Sequence, residues 1–514
     1  MLKRTFYTIT FLSFTLIGFN SMAQKIMYSA PDRDEPRSSN FEVIGRFANN
    51  YLIYKNYRNS YAINVYDAHM KLVEKNNMDF LPDKILGATF LPYKDYSYMF
   101  YQYQKRNVVY SMAAKLDAKG KAIGSPIQLD TTSMGYTANN IYTILFSENK
   151  EKIVSLKVNN KSDNFHILKS VLFDKDLNQI HQSFVTVSMP EKHDFLFGFQ
   201  LDNDGDLIFL RAVGTSQNNN INKLNFMIKP ANSDEIAQSD IKVNKLFFDD
   251  ISVKIDNSNH TYLVSSFYST QRRGNIEGLF CFLWDKTQGK AIKTNTGVFS
   301  EELRTEARGN NSLKAAFNDY YLRKVIFKQD GGYIIVAESV YTSSRNGGMN
   351  NRWDYWNTSP YWGGVGGGFY ANDYYGNRYG SPWYPWGSNY NYSNITRFYA
   401  DNILIISYDS TAQIEWTNII AKSQYDDDTD NLLGYTTINT GADIRFLFNI
   451  QERRNWVLNE QTLTGEGQLS RSPTLKGLEN NYEFMPRYAK QVGAKQIIVP
   501  CLYRGYVCFA KIDL

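Results

Sequence analysis

Residues 170–180 read SVLFDKDLNQI, a strand-sized apolar run that ends on an aspartate, followed by a short polar turn leading into another strand. The same arrangement recurs at 63–73 (INVYDAHMKLV), 113–123 (AAKLDAKGKAI), 281–292 (CFLWDKTQGKAI) and 405–416 (IISYDSTAQIEW). Asp67, Asp117, Asp174, Asp285 and Asp409 therefore share one slot. Aspartate suits it because its short carboxylate accepts hydrogen bonds from the backbone two residues on and closes the turn. Weaker cognates, MIKPANSDEI (227–236) and WVLNEQTLTG (456–465), put Lys229 and Asn459 in the slot, and the final VCFAKIDL puts Asp513 there. Successive slots are 50, 57, 55, 56, 124, 50 and 54 residues apart, so only the step from Asp285 to Asp409 is out of line.

A second run precedes each slot: NYLIYKNY (50–57), YSYMFYQYQ (96–104), EKIVSLKV (151–158), DLIFLRAV (206–213), TYLVSSFYS (261–269), GYIIVAESVY (332–341), IRFLFNIQ (444–451) and KQIIVPCLY (495–503). Each is rich in aromatic and β-branched residues and enters from a polar turn, the pattern of a buried strand. Eight such runs imply eight units of about 50 residues, each read as four strands.

Units of this length and content resemble the β-propeller superfamily over nearly the whole chain after residue 24. The tryptophan–aspartate, kelch and sialidase aspartate-box signatures are missing, so the resemblance is one of architecture. It implies an all-β ring of eight four-stranded blades, with seven as the alternative count, in one domain spanning residues 24–514. Unit 8 shows only three strands, in YEFMPRYAKQV, KQIIVPCLY and YVCFAKIDL. Residues 24–40 contain the strand-like KIMYSA, which is expected to supply the fourth and close the ring, since an unpaired sheet edge invites aggregation. Gly45, Gly87, Gly198 and Gly434 in the first strands fit crowding near an axis.

The chain begins MLKRTFYTITFLSFTLIGFNSMAQ: Lys3 and Arg4, an apolar stretch from Ile9 to Phe19, then Ser21, Met22 and Ala23. This order is similar to the cleaved secretory signals of Gram-negative bacteria. It predicts a soluble mature protein starting at Gln24, in the periplasm or outside the cell, with no membrane span. The formal charge is +5, or +3 without Lys3 and Arg4, and shows no basic clustering of the kind that marks nucleic-acid binders. Three cysteines are too few for a disulfide framework.

The extra length of unit 6 lies at 342–398. Between 353 and 392, 15 of 40 residues are aromatic, and five of the eight tryptophans fall there. From 342 to 394 Val365 is the only branched aliphatic residue, so the segment lacks a core of its own. Trp353, Trp356, Trp362, Tyr374, Tyr375, Trp383 and Trp386 are the candidate contact residues. Large rings with polar edges suit a protein interface or a sugar. The bland reading is a low-complexity loop without a ligand.

Other motifs carry less. QLDNDGDLIFL (200–210) has calcium-like alternation at Asp202, Asp204 and Asp206, but it lacks the EF-hand glutamate and aligns with the turns entering other second strands. YDDDTDN (425–431) offers Asp426, Asp428 and Asp430 as calcium candidates against the reading of a solvated acidic loop. His69, His166, His181, His193 and His260 are scattered, and neither HExxH nor GxSxG occurs. Counting outward from Arg504 and Gly505 sets Cys501 opposite Cys508, which makes them disulfide candidates; Cys281 reads as a small core residue. The function expected is that of a non-catalytic interaction platform of the cell envelope, with another envelope protein as partner and no cofactor. The rivals are a carbohydrate-binding or carbohydrate-cleaving propeller, with Asp249, Asp250, Glu301, Glu302 and Asp426 as carboxylates to draw on, and a calcium-stabilised propeller.

Overall fold

The computed structural model describes residues 25–31, 40–137, 140–162, 164–191, 194–213, 221–243, 245–344, 395–427, 430–452, 455–471 and 482–514. Within them lie eight antiparallel sheets arranged as the blades of a β-propeller, each with four strands in line. Blade 1 is Asn40–Phe47, Asn50–Tyr57, Ser60–Tyr66 and Leu72–Asn77. Blades 2 to 7 follow at 87–133, 143–188, 194–241, 247–298, 320–420 and 435–471.

In blade 8 the inner strand is broken into Tyr482–Phe484 and Lys490–Gly493 by a 3-10 turn at Pro486–Tyr488. Proline cannot donate to a strand ladder, which accounts for the break. Gln496–Tyr503 and Tyr506–Asp513 come next, and the outermost strand is Lys25–Tyr28, paired from Lys25 with Asp513 to Tyr28 with Ala510. The expected closure by the N-terminal strand is thus observed.

The second strands explain why the apolar runs are continuous. Leu52 and Tyr54 pack with Ile63, Phe90 and Met99 toward blade 2, whereas Tyr51 and Ile53 pack with Met485, Ile498 and Phe509 toward blade 8. Successive strand residues point to opposite faces, so a strand sandwiched between two blades is apolar at every position. Each such side chain contributes about 1.5–3 kcal/mol of burial. The fourth strand, Leu72–Asn77, is largely exposed and reads as polar.

The aspartate slots are the turns between third and fourth strands. Oδ1 of Asp67, Asp117, Asp174 and Asp409 accepts the N–H groups two and four residues on at 2.8–2.9 Å. Asp285 accepts from Gln288 N–H at 2.9 Å. Asn459 is a correction: it lies within the strand Asn455–Thr464, opposite Phe448, and Thr464 holds the slot, donating its N–H to Gln468 O at 3.0 Å and accepting from Gln468 N–H through Oγ1 at 3.3 Å. The preceding strand pairs through Asp443 with Thr464, which puts the turn five residues later than the asparagine suggests.

Antiparallel alternation sorts the connections by face. Turns from first to second and from third to fourth strands share one face. Those from second to third strands lie on the other, where inner strands begin. The insertion leaves blade 6 on this second face, between Tyr333–Ser344 and Ile395–Tyr408. Residues 345–394, with Trp353, Trp356, Trp362, Tyr374, Tyr375, Trp383 and Trp386, lie outside the described residues, as do residues 1–23, His193 and Asp428. No helix among the described residues is long and apolar enough to cross a membrane.

Candidate functional site

The inner strand of blade 6 begins at Tyr320, opposite Ser339. The second and third strands stay paired beyond that point, to Ser344 and Ile395, so a two-stranded stem rises past the end of the inner strand. Val340, Phe398, Ala400 and Leu433 seat the stem on Tyr321. Above them Tyr341 stacks on Tyr399 at 4.4 Å and 11°. The Tyr341 hydroxyl donates to Asp401 at 2.9 Å, and burial together with that carboxylate pushes its pKa up. The short strand Tyr425–Asp426 pairs with Phe398 and Tyr399, bringing Tyr425 to 6.3 Å from the Tyr399 ring. Arg397 stands 4.3 Å above the Tyr425 ring and grips Asp427 with Nε and Nη2, at 2.7 and 3.1 Å. The result is a partly exposed tyrosine–arginine surface at the root of the insertion, composed of residue types that dominate protein interfaces.

Beneath the stem lies a charged cluster drawn from blade 6, blade 8 and the connection between blades 6 and 7. Glu338 is fully buried, with Lys422 Nζ 2.9 Å from Oε1 and Arg323 Nε 3.3 Å from Oε2. Burial pushes the Glu338 carboxyl up, but Lys422, Arg323 and Arg487 overcome it and hold the group below the usual carboxylate range. Burial pushes Lys422 down, opposed by Glu338. Lys422 also donates to Ala400 O and Gln424 Oε1 at 2.7 and 2.9 Å. Arg487 pairs with Asp430 at 2.6 Å. Gly434, at φ +85°, passes so close that a Cβ there would sit 3.0 Å from Arg487 Nε, so both backbone shape and space require glycine.

Around the axis the inner strands carry a second set of charges. Lys254 of blade 5 and Lys324 of blade 6 are half-buried, and Lys324 Nζ donates to Thr437 of blade 7 at 2.6 Å. Burial, with Lys324 adding repulsion, pulls Lys254 down to about 7. Across the seam between blades 1 and 8, burial pushes Glu42 up to about 8 against the pull of Lys490.

The sequence-derived candidates are placed as follows. Asp426 sits in the short strand at the stem, and its neighbours Asp427 and Asp430 serve Arg397 and Arg487. Asp249 and Asp250 are buried in the inner strand of blade 5, and Asp250 Oδ2 accepts the N–H of Leu322. Glu301 and Glu302 open the short helix Glu301–Ala307, between blades 5 and 6, and are exposed. These carboxylates are thus spread over different elements. No group of three His, Cys, Asp or Glu among the described residues is arranged to hold a metal.

Asp202, Asp204 and Asp206 form a turn: Asp202 Oδ1 accepts from the N–H groups of Asp204, Gly205 and Asp206 at 2.8–3.0 Å. The cation they share is the ammonium of Lys286, at 2.5, 2.5 and 3.0 Å from the three carboxylates. Cys501 faces Cys508 in the expected register, with 3.0 Å between the sulfurs of two buried thiols. Cys281 lies in the core between blades 5 and 6.

No protein-family model and no curated protein sequence matches the chain. Among solved structures it is similar to the WD40 domain of SCAP from fission yeast, at 8% identity over 95% of this chain and 98% of that one, with a TM-score of 0.39. It is similar to the Cps50 (Swd1) β-propeller domain of Myceliophteria thermophila, at 8% identity over 95% and 100%, TM-score 0.32. A third is a PL25 polysaccharide lyase, an ulvan lyase, at 10% identity over 82% and 90%, TM-score 0.36. These likenesses concern the fold alone.

Proposed function

We propose that this protein is an exported, non-catalytic β-propeller that serves as a protein-interaction platform in a bacterial cell envelope, with the insertion of blade 6 as its contact surface. The observation that carries the reading is the stem. Its strands run past the start of the inner strand, and Tyr341, Tyr399, Tyr425 and Arg397 clothe its root. A ring of blades supplies rigidity, which lowers the ordering cost of binding. The 50 residues from 345 to 394 add a tyrosine- and tryptophan-rich sequence at that position. The leader at 1–23 supports export, and the partner is read as another envelope protein.

Affinity capture from native envelope extract tests this, with the chain from Gln24 compared against the same chain lacking residues 345–394. A partner recovered by the first and lost by the second is expected. Equal recovery by both chains overturns the assignment of the contact surface.

A further inference from the structure

On blades 8, 1 and 2, which are consecutive around the ring, the connection from second to third strand is a two-residue turn whose first residue is an arginine: Arg504, Arg58 and Arg106. All three are exposed and left-handed, at φ +50°, +48° and +53°. Glycine and asparagine tolerate that conformation best, and a long side chain is disfavoured there. Arginine is thus not the residue the backbone prefers at any of the three tips.

None of the three is ion-paired among the described residues. Arg58 lies 5.1 Å over the ring of Tyr57 and Arg504 5.2 Å over that of Tyr503, while the rings of Tyr103 and Tyr110 stack at 4.9 Å under the Arg106 turn. At the Arg58 and Arg504 tips the guanidinium thus lies against a partly exposed tyrosine, and the Arg106 tip carries a partly exposed tyrosine pair three residues along each strand.

We propose that the turn tips of blades 8, 1 and 2 form a docking track for an acidic polysaccharide, a polymer of uronic acids whose carboxylates meet Arg504, Arg58 and Arg106 while its sugar rings lie against the tyrosines. The guanidinium fork matches a carboxylate with two parallel hydrogen bonds. Three tips on separate blades require an extended ligand, and the tyrosine faces favour a sugar chain over an acidic peptide. The track is separate from the blade 6 stem, although both lie on the same face.

Binding of polygalacturonate to the chain from Gln24, measured by calorimetry at physiological ionic strength with dextran as the neutral control, is the test. The triple variant Arg58→Asn, Arg106→Asn, Arg504→Asn is expected to bind roughly tenfold to hundredfold more weakly, from three partly exposed ion pairs. It is expected to melt no lower than wild type, since asparagine accepts the left-handed backbone. A charge-matched variant of the other face, Lys71→Asn, Lys119→Asn, Lys121→Asn, is expected to stay within about twofold of wild type. An equal loss in both triple variants, an absence of binding by wild type, or tighter binding of poly-L-glutamate than of polygalacturonate overturns the proposal. Loss of binding on removal of 345–394 alone overturns it as well and returns the ligand to the stem, whereas failure of the stem's partner capture leaves this result untouched.

Discussion

The Glu338 carboxylate and the Lys422 ammonium lie 2.9 Å apart, and solvent reaches neither side chain. Removing one partner leaves the other buried and uncompensated, so Glu338→Ala is expected to cost about 3–5 kcal/mol in denaturant unfolding. The double variant with Lys422→Met is expected to lose less than the sum of the two singles, which a double-mutant cycle measures. Glu338 is held below its ordinary value, so its contribution is complete above the unfolded pKa of about 4.3 and disappears as pH falls through the lower folded value. Glu338→Gln is expected to flatten that acid limb; an unchanged limb would place the acid sensitivity elsewhere.

The N-terminal strand makes a separate prediction. Tyr28 stacks on Tyr482 at 4.0 Å and 15°, Ser29 N–H donates to Phe509 O at 2.8 Å, and Phe509 N–H donates to Ser29 Oγ at 3.0 Å. A chain beginning at residue 40 exposes the edge of Tyr506–Asp513 and is expected to melt broadly or aggregate, whereas the chain from Gln24 unfolds in one sharp transition. Tyr28→Ala is expected to cost about 1–2 kcal/mol, the share of a half-buried ring. Identical calorimetric traces for the long and short chains would show that closure does not depend on this strand.

What the chain disclosed in advance follows from how local each feature is. A blade is a run of neighbouring strands, and its second strand is apolar at every position because both faces are covered, so the eight runs could be counted directly. Aspartate slots were legible because Asp67 or Asp174 bonds backbone only two and four residues away. The slot of blade 7 is obscured because Thr464 closes that turn, and a threonine is less distinctive than the nearby Asn459. The cluster beneath the stem is not legible at all: Arg323, Glu338 and Lys422 belong to blade 6 and the segment leaving it, and Arg487 joins them only once blade 8 has come round the ring. Its one local trace is a glutamate within GYIIVAESVY, where the cognate strand of blade 5 has Phe267.

Cys501 and Cys508 predict a dependence on folding history. Burial pushes the Cys501 thiol well up, so the thiolate needed for attack is scarce in the folded protein. The folded, reduced chain is expected to resist both alkylation and mild oxidants at pH 8. Refolding in an oxidising glutathione mixture is expected to join the two sulfurs, which a digest and mass spectrum read as a linked peptide pair. Rapid alkylation of the folded protein would contradict the buried pairing.

Lys286 is the cation shared by the carboxylates of Asp202, Asp204 and Asp206. Substituting methionine leaves three converging carboxylates and is expected to lower stability by about 1–3 kcal/mol, a moderate figure because Asp204 is 67% exposed. Calcium, which favours such oxygen ligands, is expected to raise the melting temperature of Lys286→Met and to leave wild type unmoved. A wild-type response would mean that calcium acts at another place.

Lys254 gives the clearest pH signature. Burial, and then the charge of Lys324, hold its folded pKa near 7, while an unfolded lysine titrates near 10.4. Below the folded value both states carry the proton, and the folded state bears the full cost of a poorly solvated ammonium. Between the two values the unfolded chain binds more protons, so stability attributable to this residue rises with pH across that window. Lys254→Met is therefore expected to stabilise the protein most below pH 7, with the advantage shrinking toward pH 10. Reductive methylation at pH 7.5 provides an independent reading, because only an amine already deprotonated reacts quickly. Lys254 is expected to be modified ahead of fully exposed lysines such as Lys119 despite its poorer access, and a stabilising effect of Lys254→Met that is the same at pH 6 and pH 9 would show that the group is not depressed.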